Sequence, residues 1–144
     1  MESYININDR VLGELNGRDC IFIDKVTFED VAGLTFEGEI SGWLASKIRE
    51  EKWIPYKLMF KGVISHFVCE LDTYESLMGF VGCSDFAIIE NSEMMSKIPI
   101  RSDYDKSRYK HFRVFTYDYV FDILAESYEL AADLDKAKPI GNGG

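Results

Sequence analysis

The residues best suited to chemistry are few and scattered: two histidines, His66 and His111, and three cysteines, Cys20, Cys69 and Cys83. His66 and Cys69 lie in a stretch that reads as a strand, three positions apart, so they face opposite sides unless a bulge intervenes. A Cys–His nucleophile pair needs hydrogen-bond reach between the side chains, and His111 offers a second route, across strands to Cys69. The ordinary reading is a buried cysteine and a half-exposed histidine. His66 and Glu70 share a strand face with Asp72 nearby, which permits a metal ion without specifying one. With 25 acids in the chain, some carboxylate pair of the glycosidase kind is inevitable and carries no specificity. Gly79–Asp85, GFVGCSD, lacks the lysine and the following helix of a phosphate loop. These residues specify no catalytic group, metal or cofactor.

Charge is the more informative signal. The chain of 144 residues has a net charge of −9 and a sequence pI near 4.7. Nucleic-acid and anionic-membrane binders need a basic footprint, so neither partner is expected. The sign also changes abruptly along the chain. Lys97–Arg113 carries six basic and two acidic residues, with Tyr104, Tyr109 and Phe112 interleaved. Such a mixture suits stacking on bases, but in an acidic chain a basic segment folding against the protein's own acids is the simpler expectation. Val114–Asp135 carries six acids and no base.

The element expected to position those acids is a long helix, capped by Thr116 or Asp118 and running to Asp135. Val120, Phe121, Ile123, Leu124, Tyr128 and Ala131 recur at helical spacing and form its apolar stripe. Asp118, Asp122, Glu126, Glu129 and Asp133 then align on the other face. Like charges at this spacing cost roughly 0.2–0.5 kcal/mol per pair on an isolated helix. The solvated face is the plain reading; a face kept acidic for a basic protein partner is the functional one.

Ahead of that helix the pattern is one of strands. Arg18–Glu29 alternates with a slip near Asp24–Lys25, the mark of a bulge. Leu34–Leu44 alternates cleanly, with Gly38 and Gly42 on its inner face, and should pair with it as an antiparallel hairpin. Glu29–Gly33 reads as the turn between them. Pro55 should end a charged excursion over Ala45–Trp53. Tyr56–Leu71 is too long for one strand and should break at Gly62. Asp72-Thr-Tyr-Glu75 has the spacing of a capping box for a short helix closed by Gly79 and Gly82. Ser84–Glu90 reads as a strand, Ser92–Ile98 as a helical turn stopped by Pro99, and Tyr109–Thr116 as a strand with His111 and Arg113 on one face and Phe112 and Val114 on the other.

The fold class expected is therefore α+β: a curled, mostly antiparallel sheet of five to six strands, or a partly open barrel, with the long C-terminal helix packed on it. Residues 1–135 form a single domain and 136–144 a mobile tail. With no leader pattern and no apolar run long enough for a membrane span, the expected setting is cytoplasmic. The expected function is a small acidic binding protein meeting a basic partner through the helix face, such as an inhibitor or immunity-type neutraliser of a basic enzyme. Two alternatives are a small-molecule site lined by Phe36, Tyr56, Phe60, Phe67 and Phe112, and an enzyme using His66 or His111 with Cys69 or a carboxylate.

Overall fold

Alternation dominates the chain, and the computed structural model is mostly antiparallel strand, with two short helices. The structure describes residues 2–29, 33–78, 84–100 and 103–140. The elements in chain order are β1 (Ser3–Asn6), β2 (Ile21–Glu29), β3 (Gly33–Ser41), β4 (Lys52–Lys61), β5 (Ser65–Glu70), α1 (Leu71–Met78), β6 (Phe86–Glu90), α2 (Glu93–Lys97), β7 (Lys110–Phe115), β8 (Tyr119–Ala125), β9 (Ser127–Ala132) and β10 (Lys138–Pro139). One sheet runs β1-β6-β7-β8-β5; the other runs β10-β4-β3-β2, with β9 also pairing to β4. Every pairing is antiparallel, and the two sheets do not close into a barrel.

The long C-terminal helix is the main correction. Its place is taken by β8 and β9, joined at Glu126, so the fold is mostly antiparallel β rather than α+β. The apolar run of β8 is buried on both faces: Phe121, Ile123 and Ala125 face the other sheet, while Val120 joins a second cluster with Leu71 and Tyr74 of α1. A strand covered on both sides reads as a continuous apolar run, and a run that short fits a helix equally well. Past Glu126 the exposure alternates strictly, with Tyr128, Leu130 and Ala132 turned inward. Thr116 does accept the Tyr119 N–H at 3.0 Å, as a helix cap would, but it also donates its backbone N–H to the Tyr119 carbonyl and closes a β-hairpin turn.

The first half follows its pattern. β2 and β3 pair antiparallel with a register shift between Ile23 and Lys25, the expected bulge. Gly38 lies opposite it, and a Cβ there would overlap the Phe22 carbonyl oxygen, so only glycine lets the two backbones approach. The chain turns at Gly62, in the left-handed region with φ 65°, between β4 and β5. Pro55 does not end an excursion: it sits inside β4, opposite Glu39. Its carbonyl accepts the Asp133 N–H, so its nitrogen points the same way, to the gap between β9 and β10 where no ladder bond is needed. α1 is capped not by Asp72 but by Glu70, whose two oxygens accept the N–H groups of Asp72 and Thr73 at 3.0 and 2.9 Å. The expected turn residues 30–32 and the closing glycines Gly79 and Gly82 lie outside the described residues, as do Cys83, Arg101 and 141–144 of the expected tail.

Aromatic rings fill the space between the sheets. Phe36 meets Phe121 at 4.6 Å between centroids, Phe60 meets Phe112 at 5.4 Å, and Tyr128 meets Phe86 at 5.0 Å. Rings expected to line a pocket are thus one another's packing partners. Phe67 is 55 % exposed and lies outside this core.

Candidate functional site

Without the helix, the five acids no longer share a face. Asp118 is exposed in the β7–β8 turn. Asp122 on β8 turns to the outer face of the first sheet, 2.7 Å from Arg113 Nε. Glu126 sits at the β8–β9 junction, 3.0 Å from Arg108 Nη2. Glu129 on β9 lies 3.9 Å from Lys61 Nζ. Asp133 caps the 3-10 turn Leu134–Lys136 and lies 3.9 Å from Lys136 Nζ. Arg108 and Arg113 come from the basic stretch, which therefore folds back on the acids that come after it.

The histidines are also separated. His66 on β5 stacks near Phe28, with ring centroids 4.9 Å apart. His111 is on β7, and β8 lies between it and Cys69 of β5. Among the described residues no group of three His, Cys, Asp or Glu is placed to hold a metal ion.

His111 instead belongs to a buried polar cluster. Register puts Arg113 directly opposite Asp122 and His111 one step away on the same face. His111 Nε2 lies 2.6 Å from Asp122 Oδ1, the oxygen that also accepts from Arg113 Nε. Arg113 Nη1 donates to Tyr4 Oη at 2.8 Å, and its guanidinium lies over the rings of Tyr4 and Tyr74. Burial opposes ionisation of Asp122, but the hydrogen bond from His111 and the charge and hydrogen bond of Arg113 outweigh it. The carboxyl is held below its ordinary range. An ionised carboxylate only accepts, so in the neutral ring Nε2 carries the proton and Nδ1 is the free base. Nδ1 lies 2.7 Å from Ser92 Oγ, which also accepts the Met95 N–H as the cap of α2. Placing Asp122 on a helix hides this cluster in the sequence; the readable signal is His111 and Arg113 on one face of a strand.

A second buried acid lies where β6 begins. Asp85 is 7 % exposed; Oδ1 accepts the Gly17 N–H at 3.2 Å, and Oδ2 has no hydrogen-bond partner among the described residues. Burial pushes its carboxyl up to about 8, partly offset by that N–H. Burial, reinforced by Asp85, likewise pushes the Cys20 thiol up, so Cys20 is an inert core residue.

Several exposed apolar side chains gather elsewhere, along the open side of the sandwich. β2 and β5 are the edge strands there, each paired on one side only among the described residues. Between them runs a groove of ≈ 580 Å³. Phe28 and His66 meet at one end; Phe22 stacks on Tyr117 of the β7–β8 turn at the other, with centroids 5.1 Å apart. Phe28 is 65 % exposed, Val68 48 %, Tyr119 46 % and Val26 42 %, an unusual concentration for one surface. Asp24, Lys25 and Asp118 line the same groove.

Compared with known proteins, the chain matches no family model, no curated sequence and no solved structure. Function is therefore read from the chain's own geometry. Among the described residues no helix is long and apolar enough to cross a membrane. The groove escapes sequence reasoning because it joins residues from three separate stretches, and only Asp118 of the expected acids borders it.

Proposed function

We propose that this is a small binding protein that takes an extended, basic segment of a protein partner into the open groove between β2 and β5. One observation carries the reading: an apolar groove flanked by two strands whose outer edges, beyond the Ile21 carbonyl that accepts the Tyr117 N–H, have no strand partner among the described residues. An added strand would satisfy those groups, while alternate side chains reach the groove and give selectivity. The net charge of −9 supports a basic partner, since a field of that sign speeds association with a complementary surface. This keeps the acidic, protein-binding character expected from the sequence and moves its centre from a helix face to the sheet edges. A reducing, cytoplasmic setting suits the free thiols of Cys20 and Cys69.

The test uses short synthetic peptides in which apolar residues alternate with Lys, with Gln or with Glu, titrated at low and high salt. The Lys series should bind most tightly and weaken with salt, and Phe28→Ser with Val68→Ser should abolish binding. Equal affinity for all three series, or binding that survives the double variant, sinks the proposal.

A further inference from the structure

The turn after β6 is tight. Asn91 adopts φ 55°, in the left-handed region, and Ser92 comes directly after it as the cap of α2. Strand, turn and helix together hold the Ser92 hydroxyl at the wall of a concavity of ≈ 720 Å³. Ile5, Ile88, Ile89 and Met95 supply the apolar part of its lining. None of its lining residues belongs to the β2–β5 groove, so a role for this concavity is independent of the partner-binding reading.

A chain of contacts leads inward from this wall, from Ser92 Oγ to the His111 ring at 2.7 Å and from the ring to Asp122 at 2.6 Å. Both residues line the concavity, but His111 is 2 % exposed and Ser92 only partly covered, so the hydroxyl is the more open of the two. The ring cannot reorient, because Asp122 holds one nitrogen and Ser92 the other. A hydroxyl beside a fixed imidazole base is the arrangement that activates a serine. The Met95 N–H, already donating to Oγ at 2.9 Å, lowers the cost of negative charge there.

We propose that Ser92 is a nucleophile and His111 its general base, in hydrolysis of small carboxylic esters with an apolar acyl chain. Ser92 Oγ attacks the carbonyl carbon as its proton passes to His111 Nδ1. The ester C–O bond breaks and the leaving oxygen takes that proton, releasing an alcohol and leaving acyl-Ser92. Water then attacks the acyl carbon, giving a proton to Nδ1. The acyl–Oγ bond breaks, Oγ recovers the proton, and the carboxylic acid departs. Asp122 is a positioning residue that fixes the tautomer, and the apolar lining selects the acyl chain.

The whole protein is treated with an alkyl fluorophosphonate and mapped by mass spectrometry, and hydrolysis of p-nitrophenyl butyrate is monitored in parallel. The expected result is one phosphonyl group on Ser92 and turnover that falls roughly hundredfold or more in Ser92→Ala and His111→Gln. Asp122→Asn should lower kcat with KM unchanged. Wild-type protein that is folded and unlabelled at Ser92 overturns the proposal without recourse to any variant. So does a Ser92→Ala protein that hydrolyses the ester at the wild-type rate.

Discussion

His111 Nε2 and Asp122 Oδ1 lie 2.6 Å apart on the outer face of the first sheet, and Arg113 Nε reaches the same oxygen at 2.7 Å. One carboxylate thus serves two buried bases on the neighbouring strand, only one of which carries a permanent charge. Breaking such a pair from one side costs more than the pair itself contributes, because the remaining charge is left buried.

Asp122→Ala should therefore destabilise the protein by about 3–5 kcal/mol, measured by urea unfolding at neutral pH. Arg113 would keep its bond to Tyr4 and lose its counter-ion. A loss below about 1 kcal/mol would mean that water reaches the guanidinium when the carboxylate is gone.

Asp122 also sets an acid limit. Its folded-state pKa is lowered, so its contribution is present above the unfolded value, near 3.9, and is lost as pH falls through the folded value. Wild-type stability should fall in that acid window, and Asp122→Asn should show a flatter profile there. Parallel profiles would place the acid sensitivity on other carboxylates.

Asp85 works in the opposite direction. Its pKa is raised to about 8, so its contribution is complete below the unfolded value and is lost as pH rises through about 8. Asp85→Asn keeps an oxygen for the Gly17 N–H and removes the titration. Relative to that variant, wild-type protein should lose stability on the order of 5 kcal/mol between acid and mildly alkaline pH. Denaturant unfolding across that range measures the difference, and a constant gap between the two proteins would refute it.

Gly38→Ala should cost about 2 kcal/mol or more, because the new methyl group meets the Phe22 carbonyl rather than a movable side chain. The bulge at Ile23–Lys25 would have to shift to admit it. A thermal melt reads the effect, and an unchanged transition would mean that the two strands can separate freely.

Phe28→Ser, by contrast, should change stability by no more than about 0.5 kcal/mol, since the side chain is 65 % exposed. Its effect should fall on peptide affinity, measured by titration. A large loss of stability instead would assign Phe28 to the fold rather than to the groove.

Local signals carry the strands of the first half and α2, because alternation, Gly62 and the capping Ser92 act over a few residues. The final third is opaque for a physical reason. Tyr119–Ala125 is apolar on both faces because α1 covers one side and the second sheet the other, and neither cover is visible from the stretch itself. The acid spacing that suggests a helix face also argues against one: five like charges without a base are costly on a helix and cost little once divided among two turns, two strands and a junction. Tyr, Val, Phe and Ile in that run favour a pleated surface. The site is less legible than the fold, since Tyr4, Ser92, Arg113 and Asp122 come together only through sheet pairing.

The position of β4 governs how the chain can mature as it is made. β3 reaches its one side soon after synthesis, but β9 and β10, which cover the other, come from the far end of the chain. Until they emerge from the ribosome, β4 keeps one bare edge as a template, and long-range pairing of this kind is slow. A nascent chain stalled before Ser127 should be a strong client for chaperones and prone to joining another copy through β4.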